Sequence, residues 1–88
     1  MGSYSVVLKP SVHKDLRRLP APAVSRVIAR IEALGDEPLP RGSLKLAGSE
    51  GLYRLRVGEY RVVYGVGLDA RIVTIHAVRH RRDAYQKG

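Results

Sequence analysis

The chain has 88 residues, with 16 Lys or Arg against 8 Asp or Glu, so its net charge is +8 with neutral histidines. Since this length lies below the roughly 100–150 residues of a typical domain, we expect one domain. The absence of cysteine excludes a disulfide framework and thiolate zinc sites, and fits a reducing compartment. The surplus of positive charge indicates a polyanionic partner, which could be nucleic acid, an anionic membrane surface or an acidic protein. No apolar run approaches the roughly 18 residues of a membrane span, and we therefore expect a soluble, cytoplasmic protein.

The first half of the sequence predicts a strand followed by two helices. Residues 5–8 form a short apolar run that indicates the strand, and Ser11 is then in place to cap the first helix. Apolar residues at i, i+4 and i+7 within residues 12–19 give that helix one apolar face. The prolines of residues 20–22 end the first helix and begin a second, because proline is tolerated in a first turn but not in an interior. Gly35 is expected to close the second helix as a left-handed C-terminal cap.

In the second half the apolar period changes from 3.6 to 2, which predicts strands. A short extended piece is predicted at residues 44–46. Three longer strands follow, at residues 52–57, 60–66 and 71–78. Gly58 and Glu59 form a two-residue hairpin loop between the first two of these strands, and glycine in the first loop position is typical of a type II′ turn. The last stretch, residues 80–86, is basic and polar, and is expected to form one or two helical turns or an ordered tail.

The two-residue loop sets the register of this hairpin. Counting outward from the loop, Arg56 faces Arg61, and Arg54 lies on the same side one pair further along. The other side of the hairpin is entirely apolar or aromatic and should pack against the helices; it consists of Tyr53, Leu55, Val57, Tyr60, Val62 and Tyr64.

Three arginines on one face of a hairpin indicate a bound anion, because like charges opposed across a sheet destabilise the sheet unless they are compensated. A guanidinium is a planar fork of donors that matches the geometry of a phosphate. Arg54, Arg56 and Arg61 therefore predict a phosphate-binding face. The alternative is a solvated sheet face, whose arginines extend into water or pair with an acidic residue, namely Glu50, Glu59 or Asp83.

A second basic segment follows the last strand. It holds His80 and Tyr85 together with three arginines, Arg79, Arg81 and Arg82. Histidine can move protons near neutral pH, and tyrosine can stack on a base or donate a proton. The segment can return beside the arginine face, although a basic tail with the tyrosine packed on the sheet is equally compatible with the sequence. The three histidines show no metal-ligand spacing, so we expect no metal site.

The stretch from Leu46 to Tyr64, which includes the string YRLRVGEYRVVY, resembles the core of the RelE/ParE toxin superfamily. The string HRRDAY at residues 80–85 resembles the ending of its RelE branch. The early strand, the helical pair and the three-strand meander also follow the family's order, so the resemblance covers nearly the whole chain. It implies an α+β fold, in which a small, mostly antiparallel sheet packs on an N-terminal two-helix hairpin and a short helical turn ends the chain.

The resemblance further implies a toxin of a type II toxin–antitoxin pair. RelE-like toxins enter the ribosomal A site and cut the mRNA there without a metal. The mRNA's own 2′-hydroxyl attacks the adjacent phosphate, which leaves a 2′,3′-cyclic phosphate and a 5′-hydroxyl. The implied partners are a RelB-like antitoxin in a heteromeric complex, the ribosome and mRNA, with no membrane partner and no cofactor. Two other functions remain open, namely inhibition of DNA gyrase by a ParE-like toxin and an inactive basic module that binds RNA or an antitoxin.

The family's site residues carry over onto the positions that match its motifs. Arg61 matches a phosphate-binding arginine, and Tyr85 matches a terminal tyrosine that stacks on or helps to activate the nucleotide. Arg81 lies near a basic residue of the family, a place that Arg82 could also take. The implied catalytic set is Arg61, Arg81, Tyr85 and His80. The implied RNA- or phosphate-binding set is Arg54, Arg56, Lys45, Arg79 and Arg82.

Two departures from the family pattern change the expected chemistry. Some relatives carry lysine where Arg54 and Arg56 stand, and arginine keeps its proton, so neither residue is expected to act as the general base. Their role would be electrostatic stabilisation of the dianionic phosphorane. Proton transfer would then fall to Tyr85, which we favour as the base, or to His80, with His80 or Arg81 serving the leaving 5′-oxygen. Ala47 replaces a residue that is basic in many relatives, so one contact to ribosomal RNA is expected to be absent.

Overall fold

The computed structural model describes residues 3–48 and 51–84, which form five strands and three helices. In chain order these elements are β1 (Ser5–Leu8), α1 (Pro10–Arg17), α2 (Ala21–Ala33), β2 (Ser43–Lys45), β3 (Leu52–Val57), β4 (Tyr60–Gly67), β5 (Ile72–His80) and α3 (Arg81–Ala84). Each predicted strand and helix is present, with bounds that differ by a residue or two. The turn of helix expected at the end of the chain is α3.

The five strands form one mixed sheet in the order β1-β5-β4-β3-β2. Three of the pairings are antiparallel, and only β1 and β5 run parallel. The α1–α2 hairpin connects β1 to β2 and supplies apolar side chains to the same core as the sheet. The predicted α+β fold, a mostly antiparallel sheet packed on a two-helix hairpin, is therefore confirmed.

The core lies between the helical hairpin and one face of the sheet. Each helix contributes the apolar stripe that its period predicts, and each strand contributes alternate residues. The buried apolar residues are Val12, Val27, Ile31, Leu34, Leu55, Val57, Val62, Tyr64, Val73, Ile75 and Val78. The aromatic face of the β3–β4 hairpin accordingly packs on the helices, as the register predicts.

Two predicted caps are wrong, and each has a local reason. Helix α1 begins at Pro10 with Lys9 as its N-cap, and no side chain caps it, so Ser11 lies inside the first turn. The proline supplies the fixed φ that the first helical position needs. Gly35 does not adopt a left-handed conformation; a Cβ there would lie 3.1 Å from the carbonyl oxygen of Tyr4. That glycine allows the start of the chain to pass close to the end of α2.

The β3–β4 turn has the predicted type and register. Gly58 has a φ of 61°, and Glu59 has no positive φ, as a type II′ turn requires. Arg56 lies directly opposite Arg61 across the strands, and Val57 lies opposite Tyr60. A slip by one residue would exchange the two faces of the hairpin, so this turn decides which side chains enter the core.

A bulge in β5 changes the alternation that the sequence predicts. Val63 pairs with Ala77 and Tyr64 with Ile75, which leaves His76 without a residue opposite it. The inward residues of β5 are therefore spaced by two and then by three positions. Beyond the bulge, Arg79 lies opposite Arg61, and the next residue, His80, falls on the other face.

Leucine-to-alanine substitutions on adjacent strands should show which face of the sheet is buried and which is exposed. Leu55 on β3 is 2% exposed, whereas Leu44 on β2 is 55% exposed. We expect Leu55→Ala to lower the free energy of unfolding by about 2–5 kcal/mol, because it removes buried apolar contacts and leaves a cavity. Leu44→Ala, the matched control, should change it by no more than about 0.5 kcal/mol. Urea denaturation measures both, and equal effects would contradict the orientation of the hairpin.

His76, the residue at the bulge, should make the free energy of unfolding depend on pH. Partial burial lowers the pKa of His76 below its ordinary value of 6.5, and the ammonium group of Lys9 adds to this effect. The unfolded chain then takes up the proton more readily than the folded chain, so the free energy of unfolding should fall as the pH drops below 6.5. We expect His76→Gln to remove this loss and the same change at the exposed His13 to retain it. Urea midpoints at pH 7.5 and pH ~5 test the difference.

Candidate nucleic-acid interface

The described strands bring arginines together on the sheet face opposite the helices. Arg56 on β3, Arg61 on β4 and Arg79 on β5 occupy successive positions in one row across the sheet. Arg54 lies on the same face of β3, two residues before Arg56 and opposite Val63. Since neighbouring strands lie only about 5 Å apart, the row concentrates positive charge; the hairpin register predicts its Arg56–Arg61 pair but not Arg79.

A groove of about 360 Å³ lies on this face. Its lining combines three cationic side chains with an apolar wall; the residues are Gly42, Leu44, Arg54, Arg56 and Arg61. Leu44 belongs to β2, where it pairs with Arg54, and more than half of its surface is exposed. The groove therefore offers guanidinium donors beside an apolar side chain, which suits a ligand with both an anionic and a flat, weakly polar part.

Two hydrogen bonds, one partly buried and one exposed, position residues around the groove. The hydroxyl of Tyr64 donates to the carbonyl oxygen of Pro38 at 2.8 Å, which ties the loop before β2 to the core. Burial raises the pKa of Tyr64 above its ordinary value of 10.0, so this phenol remains a donor at neutral pH. On the opposite wall, Arg56 donates from Nε to the carbonyl oxygen of Gly58 at 3.1 Å. The guanidinium of Arg56 is thereby held near its own turn.

The start of α3 is tied to the β3–β4 turn. The backbone N–H of Arg81 donates to the carbonyl oxygen of Glu59 at 2.7 Å. The two side chains of this pair lie 3.7 Å apart between Arg81 Nη1 and Glu59 Oε1. Glu59 therefore pairs with the C-terminal segment. Of the other acidic residues considered as partners of the arginine face, Glu50 and the side chain of Asp83 lie outside the described residues.

His80 lies on the helical side of the sheet. It pairs with Tyr60, and the two rings meet edge to face with centroids 5.3 Å apart. Its Nδ1 accepts a hydrogen bond from the backbone N–H of Arg82 at 3.1 Å, so in the neutral ring the proton is on Nε2. The β5 bulge is the reason that His80 and Arg61 belong to opposite faces.

The described residues do not bring the whole predicted site together. Arg54, Arg56 and Arg61 share the groove. Lys45 pairs with Tyr53, which places it on the other face of the sheet at an exposed position. Arg81 and Arg82 are exposed on α3. Tyr85 lies outside the described residues.

Asp15 is the residue of this region that the sequence pattern did not identify. The residue is 7% exposed, and its carboxylate bridges two groups of β5. Oδ2 accepts from the backbone N–H of Val78 at 2.9 Å, and Oδ1 accepts from Nη1 of Arg79 at 2.6 Å. A signal was present, because an acidic residue at i+3 from Val12 and next to Leu16 falls within the apolar stripe of an otherwise basic helix.

Among residues 3–48 and 51–84, no group of three His, Asp or Glu side chains is arranged to hold a metal ion. The described helices include none that is both long and apolar enough to cross a membrane.

Comparisons with known proteins agree with this architecture. Residues 6–85 match a family described as the ParE toxin of type II toxin–antitoxin systems, parDE. The putative toxin RelE1 of Methanocaldococcus jannaschii is 35% identical over 86 residues, which cover 94% of this chain and 96% of that protein.

Two solved structures extend the comparison. The archaeal RelE–RelB complex from Pyrococcus horikoshii has a chain with a TM-score of 0.80 and 33% identity, covering 90% of this chain and 96% of that one. A chain of the RelBE2 toxin–antitoxin complex of Mycobacterium tuberculosis has a TM-score of 0.78 and 31% identity. The match covers 89% of this chain and 98% of that one. The chain thus belongs to the RelE/ParE superfamily of type II toxins, on its RelE-like branch.

Proposed function

We propose that this toxin is a ribosome-dependent endoribonuclease that cleaves mRNA in the A site by attack of the 2′-hydroxyl on the adjacent phosphate. The groove formed by Arg54, Arg56 and Arg61 is the observation that carries the proposal. The repulsion between two opposed arginines is relieved when an anion lies between them. Such a protein acts in the cytoplasm, where ribosomes are found.

The arginine groove would stabilise charge that develops during cleavage. When the 2′-oxygen adds to phosphorus, the phosphorane carries more negative charge than the phosphodiester. Each well-placed donor contributes roughly 3 kcal/mol to such a transition state. Arg61, whose Cα pairs with the Cα of Arg56 on one side and of Arg79 on the other, is central in the row. We assign Arg61 to the phosphate, with Arg54 and Arg56 beside it, and Leu44 to the adjacent base or sugar.

Proton transfer requires groups other than these arginines. The 2′-hydroxyl gives up a proton as it attacks, and the departing 5′-oxygen gains one. Arginine does not supply a base at neutral pH. The position of His80 on the Tyr60 face, with Nδ1 already bonded to Arg82, favours Tyr85 as the base. His80 would donate the proton to the departing 5′-oxygen, or Arg81 would donate a hydrogen bond to that oxygen while water supplies the proton.

A RelB-like antitoxin is the proposed protein partner. The related toxins from Pyrococcus horikoshii and Mycobacterium tuberculosis were solved as complexes with RelB-type antitoxins. A net charge of +8 on this chain favours a partner segment that is acidic or amphipathic and covers the arginine face. The complex would therefore be heteromeric.

Inhibition of DNA gyrase is the alternative, since the matching family is described by its ParE toxin. A ParE-like toxin would act through contact with a protein and would not need a catalytic cluster at the C-terminus. Residues 80–85 therefore distinguish the two functions. An inactive basic module would bind RNA but neither cleave it nor inhibit gyrase.

Removal of the central arginine should slow cleavage strongly. With ribosomes programmed by a defined mRNA, we expect the protein to cut within the A-site codon and Arg61→Ala to slow the cut by about 10²–10³-fold, because one donor to the phosphorane is lost. Arg30→Ala, which removes the same charge from the exposed face of α2, is the control and should cut normally. Primer extension locates the cut, and mass spectrometry of the 3′ end identifies the cyclic phosphate.

Three outcomes would contradict the proposal. A cut that survives Arg61→Ala would place the phosphate elsewhere. A 3′-hydroxyl product would exclude attack by the 2′-oxygen. Absence of a cut together with inhibition of gyrase supercoiling would identify a ParE-like toxin.

The base assignment predicts a separate effect for Tyr85. We expect Tyr85→Phe, which keeps the ring and removes the hydroxyl, to lower the single-turnover rate of cleavage by at least about 10²-fold. Affinity for the ribosome should change little, because stacking is retained. Single-turnover kinetics and ribosome co-sedimentation measure the two quantities, and an unchanged rate would exclude Tyr85 as the base.

A further inference from the structure

The edge of β5 is completed by a side chain where β1 ends. The parallel pairing stops at Leu8 and Ile75, and the backbone N–H of Lys9 makes the next bond, to the carbonyl oxygen of Ile75 at 3.1 Å. β5 nevertheless continues to His80, and α1 packs against it. The carboxylate of Asp15 accepts the outward N–H of Val78 at 2.9 Å. It thus takes the place of a strand partner at an otherwise open edge.

The same carboxylate binds the guanidinium at the end of the arginine row. Arg79 lies opposite Arg61, which lies opposite Arg56, and a row of three like charges is unfavourable. Oδ1 of Asp15 accepts from Nη1 of Arg79 at 2.6 Å, which directs that guanidinium toward α1. The groove on the arginine face is lined by Arg54, Arg56 and Arg61, whereas Arg79 lines a separate cavity beside Asp15, Arg18 and His80.

The burial of Asp15 makes this pairing costly to break. The carboxylate side chain is 8% exposed, so an unpaired negative charge there would lack the solvation that water provides. Arg79 is 46% exposed and could reach solvent or a ligand if it were released. The ion pair is therefore maintained mainly because the buried carboxylate of Asp15 has little access to water.

We infer that Asp15 is a positioning residue that keeps Arg79 out of the RNA-binding face, so that three arginines, not four, bind phosphate. This assignment rests on the proposed function only in that the ligand of the groove is RNA. It revises the sequence-based expectation that Arg79 binds phosphate. The bulge at His76 places Arg79 on the face of Arg61, and Asp15 then draws the Arg79 guanidinium away from that face.

The salt dependence of RNA binding tests the inference. Each phosphate neutralised on a single strand contributes about 0.7 to the slope of log K against log salt. With a labelled ten-nucleotide single-stranded RNA, Arg61→Ala should reduce the slope by about 0.7, whereas Arg79→Ala should leave it unchanged. Asp15→Asn retains an oxygen that can accept the Val78 N–H and removes the charge that holds Arg79. That variant should increase the slope by about 0.7, and adding Arg79→Ala should return it to the wild-type value.

A matched control separates this effect from the change in net charge. Asp69→Asn makes the same substitution in the exposed loop before β5 and should not alter the slope. A purely structural role for Asp15 would weaken binding, so an increased slope that depends on Arg79 is specific to the positioning role. Circular dichroism checks that each variant is folded. If Asp15→Asn does not fold, the Arg79→Ala measurement decides alone.

The outcomes distinguish this inference from the proposed function. A reduced slope for Arg79→Ala, equal to that of Arg61→Ala, would overturn the inference, as would equal slopes for Asp15→Asn and Asp69→Asn. If Arg61→Ala leaves the slope unchanged, both this inference and the assignment of the groove to phosphate would be overturned. The expected slopes in a protein that does not cut mRNA on the ribosome would support the positioning role and overturn only the proposed activity.

Discussion

The rest of the molecule depends on the register of the β3–β4 hairpin. A two-residue turn with Gly58 in a left-handed conformation fixes that register, and side chains then alternate between a buried face and the arginine face. The opposition of Arg56 and Arg61 follows directly from it. The fold therefore places two guanidinium groups opposite each other on neighbouring strands, an arrangement that favours the binding of an anion.

Much of this architecture could be predicted because it follows from local patterns. The 3.6-residue period gives the helices, the two-residue period gives the strands, and the turn gives the hairpin register together with the arginine pair. Gly35 shows the limit of such reasoning, since its role depends on the approach of Tyr4, a residue distant in sequence. Local patterns predict which face a residue occupies only as long as the alternation is unbroken.

The candidate site was predicted less completely than the fold because one inserted residue decides its composition. The extra position at His76 moves Arg79 to the face of Arg61 and His80 to the face of Tyr60, and no turn signal marks it in the sequence. Asp15 was missed for a related reason: its function depends on the length of β1 relative to β5, a tertiary property. The groove arginines lie before the bulge, which is why their grouping could be predicted.

The arginines of the groove also imply that a base for proton transfer must come from another segment of the chain. Because a guanidinium group does not act as a base at neutral pH, the arginine groove can stabilise negative charge but does not supply a base for an attacking hydroxyl. A cleaving enzyme built on this face needs a second segment, and the one available within the described chain is attached at the hairpin turn through the bond from Arg81 N–H to Glu59. The turn that fixes the arginine register thus also fixes where α3 begins. A displacement of this turn would therefore move the arginine groove and α3 together.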